Sequence, residues 1–179
     1  MAANVFGTVV YRGIAVDKRL RTTQKHIYAV GDCNGGVQFT HAASEQAITA
    51  VLGALFNLPK KFSAEAMPWA TFTTPEIAHF GPVKSDLHPE SFRALRIDFK
   101  DIDKAVTEHE SGFIEVLTTL EGKITGATVL GTGAAEILGQ IKLLHDFNIP
   151  LQDVAGVVQA YPTYSLGLKQ LGANAIYER

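Results

Sequence analysis

The residues best suited to binding a ligand or taking part in chemistry lie between positions 31 and 44, where the sequence reads GDCNGGVQFTHAAS. The apolar run IYAV before it predicts a strand that ends at Gly31-Asp32. The Asp32 carboxylate would then lie at the carboxyl edge of a sheet, where open α/β sheets commonly bind ligands. A hydrogen bond from a ligand hydroxyl to this carboxylate would contribute about 1.5 to 3 kcal/mol. An ordinary turn at Gly-Asp is the equally weighted alternative.

A helix is predicted directly after the glycine-rich loop, from about Thr40 to about Asn57, with Thr40 as its N-cap. Its apolar residues recur every four positions at Ala43, Ala47, Val51 and Leu55. The free amides and the dipole of its N-terminus favour an anionic group. His41 could contact such a ligand or could be an ordinary polar residue at a helix start. Cys33, the single cysteine, is expected to be inert and excludes a disulfide within one copy of the chain.

In the later part of the chain, the sequence pattern predicts strands first and helices after them. Extended segments are expected in PWATFTTPEIAHFG and FRALRIDF, and GFIEVLTTL and KITGATVLG read as an antiparallel hairpin that turns at Glu121-Gly122. AAEILGQIKLLHDF predicts an amphipathic helix, with a short helix after Pro150 and a last one from about Ser165. This order indicates an α+β fold, an antiparallel sheet with helices packed on it. Residues 58–68 read as a linker between a first domain, 1–57, and a second, 69–179.

One glycine-rich segment is a misleading match. Residues 131–136, GTGAAE, follow an apolar strand and open a helix, as a dinucleotide-binding loop does. Glu136 occupies the position of the third glycine, and the preceding strands predict a hairpin rather than a βαβ unit. We therefore expect no nucleotide there.

Composition excludes several classes of function. The net charge of -2 and the scattered basic residues argue against a nucleic-acid partner. No apolar run is long enough to span a membrane, and the first residues lack an export signal, so a cytoplasmic location is expected. The six histidines show no metal-binding spacing, so no metal site is expected, and no G-x-S-x-G hydrolase motif is present.

Taken together, IYAVGD, QFTHAAS, PWATFTTPE and the tail YPT resemble the pyridine nucleotide-disulfide oxidoreductases, the family of dihydrolipoamide dehydrogenase and mercuric reductase. The resemblance covers nearly the whole chain and corresponds to the family's C-terminal part, a remnant of the FAD domain followed by the dimerisation domain. It implies an FAD-dependent parent enzyme that takes hydride from NAD(P)H and works as a homodimer. The family's FAD loop, redox disulfide and nicotinamide domain are absent from this sequence, so this segment alone is expected to be inactive.

The resemblance also assigns residues. Gly31 and Asp32 match the ribityl-binding motif, and Phe39, Thr40 and His41 match the segment beside the isoalloxazine ring. In the tail, Tyr161 stands where the family has its catalytic histidine, and Leu166 replaces the glutamate that pairs with it. Tyrosine has an ordinary pKa near 10 and leucine forms no hydrogen bond, so disulfide reduction is in doubt. A tyrosine here and PWATFTTPE also resemble mercuric reductase.

Two alternatives remain at this point. Residues 161–163 could contribute to catalysis or simply form a buried turn at the dimer seam. The whole chain could also be a free-standing dimerisation or interaction module of the same fold, without a cofactor.

Overall fold

The computed structural model of the chain describes residues 9–10 and 13–177. The chain divides into two compact units, and the division lies between Met67 and Pro68. This point falls within the predicted linker, 58–68. The predicted linker is attached to the first unit, because the Phe62 amide donates a 2.8 Å hydrogen bond to the Lys18 carbonyl.

The described residues of the first unit form a short ribbon, one 3-10 turn and one long helix. Their bounds are β1 Val9–Val10, β2 Gly13–Ile14, the 3-10 turn Gly31–Asn34 and α1 Thr40–Phe56. The predicted strand before Gly31-Asp32 is wrong, because the chain enters the 3-10 turn at Gly31 after a single isolated bridge between Arg21 and Tyr28. Within the described residues, segment 27–29 pairs with segment 20–22. This pairing is too short to form a regular strand.

Helix α1 differs from its prediction in two respects. Phe39, not Thr40, is the N-cap residue, and Thr40 is the first helical residue. The predicted apolar face is not the buried one. The residues that α1 buries are Ala42, Gln46, Thr49 and Ala50. Val51 and Leu55 are 51% and 72% exposed, because the described residues cover only the side of α1 that faces the 3-10 turn. The predicted helix end is confirmed, with Asn57 as C-cap in the left-handed region at φ 51°.

The second unit is a five-stranded antiparallel sheet with helices packed on it, which confirms the predicted α+β fold. The strands are β3 Trp69–Thr71, β4 Ile77–Phe80, β5 Arg93–Asp98, β6 Phe113–Thr118 and β7 Ile124–Leu130, in the spatial order β3-β4-β7-β6-β5. The α-helices are α2 Asp103–Thr107, α3 Ala134–Asp146 and α4 Leu166–Tyr177. The 3-10 turns are Lys84–Asp86, Phe99–Asp101 and Leu151–Gly156. The hairpin β6-β7 and helix α3 confirm their predictions.

The core follows from the strand register. Ala78, Val129, Ile114 and Ile97 lie side by side across four strands. All four are buried on one face of the sheet. Burial of a large aliphatic side chain contributes about 1.5 to 3 kcal/mol, so this row is a principal source of stability. Helix α3 packs on β7 and β4 through Ile137 and Ile141, and α4 packs against β5.

The opposite face of the sheet carries a polar row. Its corresponding row is His79, Thr128, Glu115 and Arg96. The His79 ring is 2.9 Å from the Thr128 hydroxyl and 2.9 Å from the Gly81 carbonyl. Since a carbonyl only accepts, Nε2 donates to Gly81, and Nδ1 lies within hydrogen-bond distance of the Thr128 hydroxyl. His79 is therefore a satisfied structural residue.

Candidate functional site

The Gly31-Asp32 turn is built by backbone geometry that suits glycine. Gly31 is buried, has φ 75°, and a Cβ there would lie 3.4 Å from the Cβ of Ala43. The next residue, Asp32, is exposed, and its carbonyl accepts a 3.0 Å hydrogen bond from the Gly35 amide. The turn thus directs a carboxylate-bearing residue outward while its backbone packs on α1.

A buried side chain of α1 holds this turn. The Gln46 oxygen Oε1 accepts hydrogen bonds of 2.7 Å from the Gly31 amide and 2.7 Å from Asn34 Nδ2. Asn34 Oδ1 in turn accepts a 2.9 Å bond from the Gly36 amide. Sequence reasoning missed Gln46. The available signal was a glutamine four residues after Ala42 and four before Ala50, on a face of small residues.

The other predicted flavin residues lie together at the start of α1. Phe39 and His41 stack with ring centroids 5.4 Å apart and 11° between their planes. Thr40 is exposed, and within the described residues the N-cap residue Phe39 forms no side-chain hydrogen bond with the start of α1. The dipole of α1 favours an anionic group at this end. Cys33 is exposed, and its thiol donates to the Val30 carbonyl at 3.2 Å.

Tyr161 belongs to the second unit and is exposed over 72% of its surface. A hydrogen bond to the Asp103 carboxylate and the charge of that group raise the pKa of Tyr161 above its ordinary value. A phenol with a raised pKa stays protonated at neutral pH. Leu166 is the first residue of α4, and its side chain cannot form a hydrogen bond.

Tyr164 anchors the segment that carries Tyr161. Its hydroxyl donates a 2.7 Å hydrogen bond to Glu108, and its ring lies 5.3 Å from Phe99, centroid to centroid. Burial first, and then the Glu108 carboxylate, strongly raise the pKa of Tyr164. Glu108 itself has a lowered pKa, because Lys104 and then Tyr164 donate hydrogen bonds to it.

The glycine-rich loop at 131–136 does not form a nucleotide site. Strand β7 before it pairs antiparallel with both β4 and β6, so the loop is not part of a βαβ unit. The Ala135 amide at the start of α3 donates a 2.8 Å hydrogen bond to the Glu76 carboxylate, which occupies the place that a phosphate would need. An open cleft of about 410 Å³ lies beside it, and Glu76 and Glu110 line that cleft with negative charge.

The described part of the chain contains neither a metal-binding cluster nor a membrane-spanning helix. Among residues 9–10 and 13–177, no three His, Cys, Asp or Glu side chains are grouped as a metal would require. Over the same residues, no helix combines the length and the apolarity of a membrane span.

Comparisons with known proteins identify the family. The profile of the pyridine nucleotide-disulphide oxidoreductase dimerisation domain matches residues 67–171, and that of pyridine nucleotide-disulphide oxidoreductase matches residues 6–47. A dihydrolipoyl dehydrogenase of Haloferax volcanii is 31% identical over 91% of this chain, which spans 35% of that protein. One from Manduca sexta is 29% identical over 90% of this chain and 33% of its own length. The chain thus spans about a third of these relatives.

Solved structures agree on the fold. LpdA from Mycobacterium tuberculosis superposes with a TM-score of 0.84 at 24% identity, over 90% of this chain and 36% of LpdA. The Cu(II) complex of the HOCl-induced flavoprotein disulfide reductase RclA from Escherichia coli gives 0.85 at 22% identity, over 93% and 39%. The antiparallel sheet with helices on one face, the two profile matches and these relatives lead to one conclusion: the chain belongs to the pyridine nucleotide-disulphide oxidoreductase family and carries its dimerisation domain.

Proposed function

We propose that the chain is the C-terminal region of an FAD-dependent NAD(P)H oxidoreductase, in which it supplies flavin contacts and the homodimer interface. The observation that carries this proposal is the profile match over residues 6–47 together with the outward-facing Asp32 turn in that same segment. The names of the dihydrolipoyl dehydrogenase relatives support it. The proposed organisation is a flavin-domain remnant at 1–57, a linker at 58–68 and the dimerisation domain at 69–179.

The residues present fit a flavin. Exposed Asp32 would accept hydrogen bonds from the ribityl hydroxyls, and buried Gly31 allows the backbone to approach closely. Phe39, Thr40 and His41 would border the ring at the N-terminus of α1, whose dipole favours negative charge there. When bound, FAD would supply the redox chemistry that passes electrons from NAD(P)H to an acceptor.

Tyr161 and Leu166, near the C-terminus, restrict which electron acceptor the enzyme could reduce. Tyr161 is the proposed counterpart of the family's histidine, but its raised pKa keeps its proton in place, and Leu166 cannot orient it. Reduction of a disulfide needs a group that exchanges a proton with a thiol. We therefore propose an acceptor that does not require this exchange, and mercuric-reductase-like chemistry remains one candidate of that kind.

The surface of the second unit supports dimer formation. Leu143 and Phe147 at the end of α3 are 59% and 73% exposed, and Val158 before Tyr161 is 92% exposed. Large apolar side chains that are exposed in the single chain can form interaction surfaces. A second copy of the chain is the proposed partner, as the dimerisation-domain match indicates.

The chain needs further domains for turnover. Ile48, Val51 and Leu55 of α1 are exposed, and in the proposed parent the rest of the FAD domain would cover them. The FAD loop and nicotinamide domain of the same protein are the proposed missing parts. We also propose that the protein is cytoplasmic.

A second candidate is a non-catalytic dimerisation or interaction module without cofactor. The replacement of the catalytic pair by Tyr161 and Leu166 favours it, because a module has no need of that pair. The two proposals differ in whether residues 31–41 bind flavin.

Equilibrium sedimentation of the purified chain with added FAD, followed at protein and flavin absorbance, separates them. A dimer that carries flavin absorbance would support the flavin contacts. A flavin-free dimer would favour the module, and a monomer would contradict the dimer interface in both proposals.

A further inference from the structure

Gln46 is among the most buried polar side chains of the described residues, with 1% of its surface exposed. An amide buried without hydrogen bonds costs roughly 1 to 3 kcal/mol, so its retention on a helix face of alanines calls for a specific role. Both short bonds of its oxygen go to the 31–34 turn, at Gly31 N and at Asn34 Nδ2. Gln46 is thus committed to this turn.

The two anchor points lie on either side of Asp32. Gly31 precedes it, and Asn34 follows it by two residues, so one oxygen atom fixes both ends of the segment that carries the carboxylate. Asn34 extends the connection, because its Nδ2 also donates to the Ala29 carbonyl at 3.3 Å and its Oδ1 accepts from Gly36. Strand β2 closes the other side, since a Cβ on Gly13 would lie 2.6 Å from backbone atoms of Cys33, Asn34 and Gly35.

We propose that Gln46 is a positioning residue for flavin binding, which sets the direction of the Asp32 carboxylate before the cofactor arrives. The inference rests on the proposed function of Asp32. A carboxylate held in one orientation binds more tightly than one that must be ordered on binding, because the entropy of ordering is already lost. Gln46 itself does not touch the flavin in this proposal.

The two hydrogen bonds that Gln46 accepts suggest a conservative variant. Only the oxygen of the Gln46 amide serves Gly31 and Asn34, so a glutamate offers the same acceptor at the same length. Gln46→Glu should therefore preserve the turn, whereas Gln46→Leu removes the acceptor, which leaves the Gly31 amide without this partner and Asn34 Nδ2 with the Ala29 carbonyl alone. Thr49 provides a matched control. It is equally buried at 1% exposure on the same helix, but its hydroxyl donates to the Glu45 carbonyl within α1 and not to the turn.

The test is an FAD titration of the full chain followed by the backbone amide NMR signals of residues 31–36. Hydrogen exchange of the Gly31 amide is measured in the absence of flavin. We expect Gln46→Leu to weaken FAD binding by about tenfold, the equivalent of one lost hydrogen bond, and to speed exchange at Gly31. Gln46→Glu should restore binding to within about threefold, and Thr49→Val should stay within about twofold of wild type.

Other results would overturn the proposal in distinguishable ways. Fast exchange at Gly31 with unchanged FAD affinity in Gln46→Leu would make Gln46 purely structural. Equal weakening in Thr49→Val would indicate general loosening of the unit. If FAD leaves the wild-type signals of residues 31–36 unchanged, the flavin role of Asp32 itself fails, and the positioning role toward flavin fails with it.

Discussion

The Tyr164 hydroxyl donates a 2.7 Å hydrogen bond to the carboxylate of Glu108, which lies 56 residues earlier in the chain. Glu108 is the C-cap of α2, a helix fixed to the core by buried Ala105. The bond therefore ties the segment that carries Tyr161 to a rigid part of the second unit.

This bond predicts an alkaline dependence of stability. The raised pKa of Tyr164 means that its contribution is complete below about pH 10, the ordinary value, and is lost as the pH rises through the higher folded-state pKa. We expect the free energy of unfolding in urea to fall more steeply with alkaline pH in the wild type than in Tyr164→Phe. Glu108→Gln keeps an acceptor but removes the charge, so its slope should lie between them. Parallel slopes in all three proteins would contradict the prediction.

An acid dependence is expected at the end of α3. Burial alone would raise the pKa of Asp146, but hydrogen bonds from Lys142 and His145 outweigh it and lower this pKa. The stabilisation is present above about pH 4 and is lost as the pH falls through the lower folded-state pKa. Asp146→Asn and Lys142→Met should each reduce the loss of stability seen on acidification, as measured by thermal unfolding. If acidification destabilises both variants as much as wild type, this ion pair is not its source.

Gly131→Ala should destabilise the second unit by about 1 to 3 kcal/mol. Gly131 has φ 129°, and a Cβ there would lie 2.4 Å from Cε2 of buried Phe99. The matched control is Gly139→Ala in α3, where nothing lies within 4 Å of the new Cβ. That change should stabilise by about 0.5 to 1 kcal/mol through helix propensity, and urea unfolding of both variants measures the difference. Opposite signs are the expected result, and equal effects would refute it.

Glu76→Leu should destabilise the second unit by about 1 kcal/mol, because the Ala135 amide and the start of α3 lose their carboxylate partner. Glu76→Gln retains an acceptor oxygen and should lose less than half of that. Chemical unfolding again provides the measurement. A leucine variant as stable as wild type would show that water replaces the carboxylate without cost.

Charge substitutions in the last two helices separate interface from core. A charge should act differently at Leu143 and at Leu168. Leu143 is 59% exposed, whereas Leu168 is 1% exposed in the single chain and belongs to the core. We expect Leu143→Asp to sediment as a folded monomer and Leu168→Asp to lose its circular dichroism signal. If Leu143→Asp remains a dimer, Leu143 and its part of α3 do not belong to the interface.

Most of the second unit could be predicted because its signals are local. The hairpin β6-β7 alternates over two adjacent segments with a glycine at the turn, and α3 repeats with helical period. Pairing of β4 with β7 was not predicted, since nothing in either segment alone specifies a partner so far along the chain.

The first unit was harder to predict for a physical reason. Segment 27–30 has strand-like composition, but strand formation depends on neighbours, and the described residues offer only one short partner. The apolar period of α1 identified residues that are exposed, whereas the buried face is marked by small residues and Gln46. Gly31 and Asp32 could be singled out by type, but the atom that holds them lies 15 residues later.

The sheet order has a consequence for how the protein is made. His79 of β4 and its hydrogen-bonded neighbour Thr128 of β7 are 49 residues apart, whereas β6 and β7 are joined by a tight turn. Closing the longer loop costs more entropy, so the hairpin should assemble before β4 joins it. On the ribosome, β3 and β4 emerge before the other strands of this sheet. The edge of β4 that pairs with β7 must then stay unpaired until nearly the whole sheet has been synthesised. Those two strands are where the nascent chain is most open to mispairing.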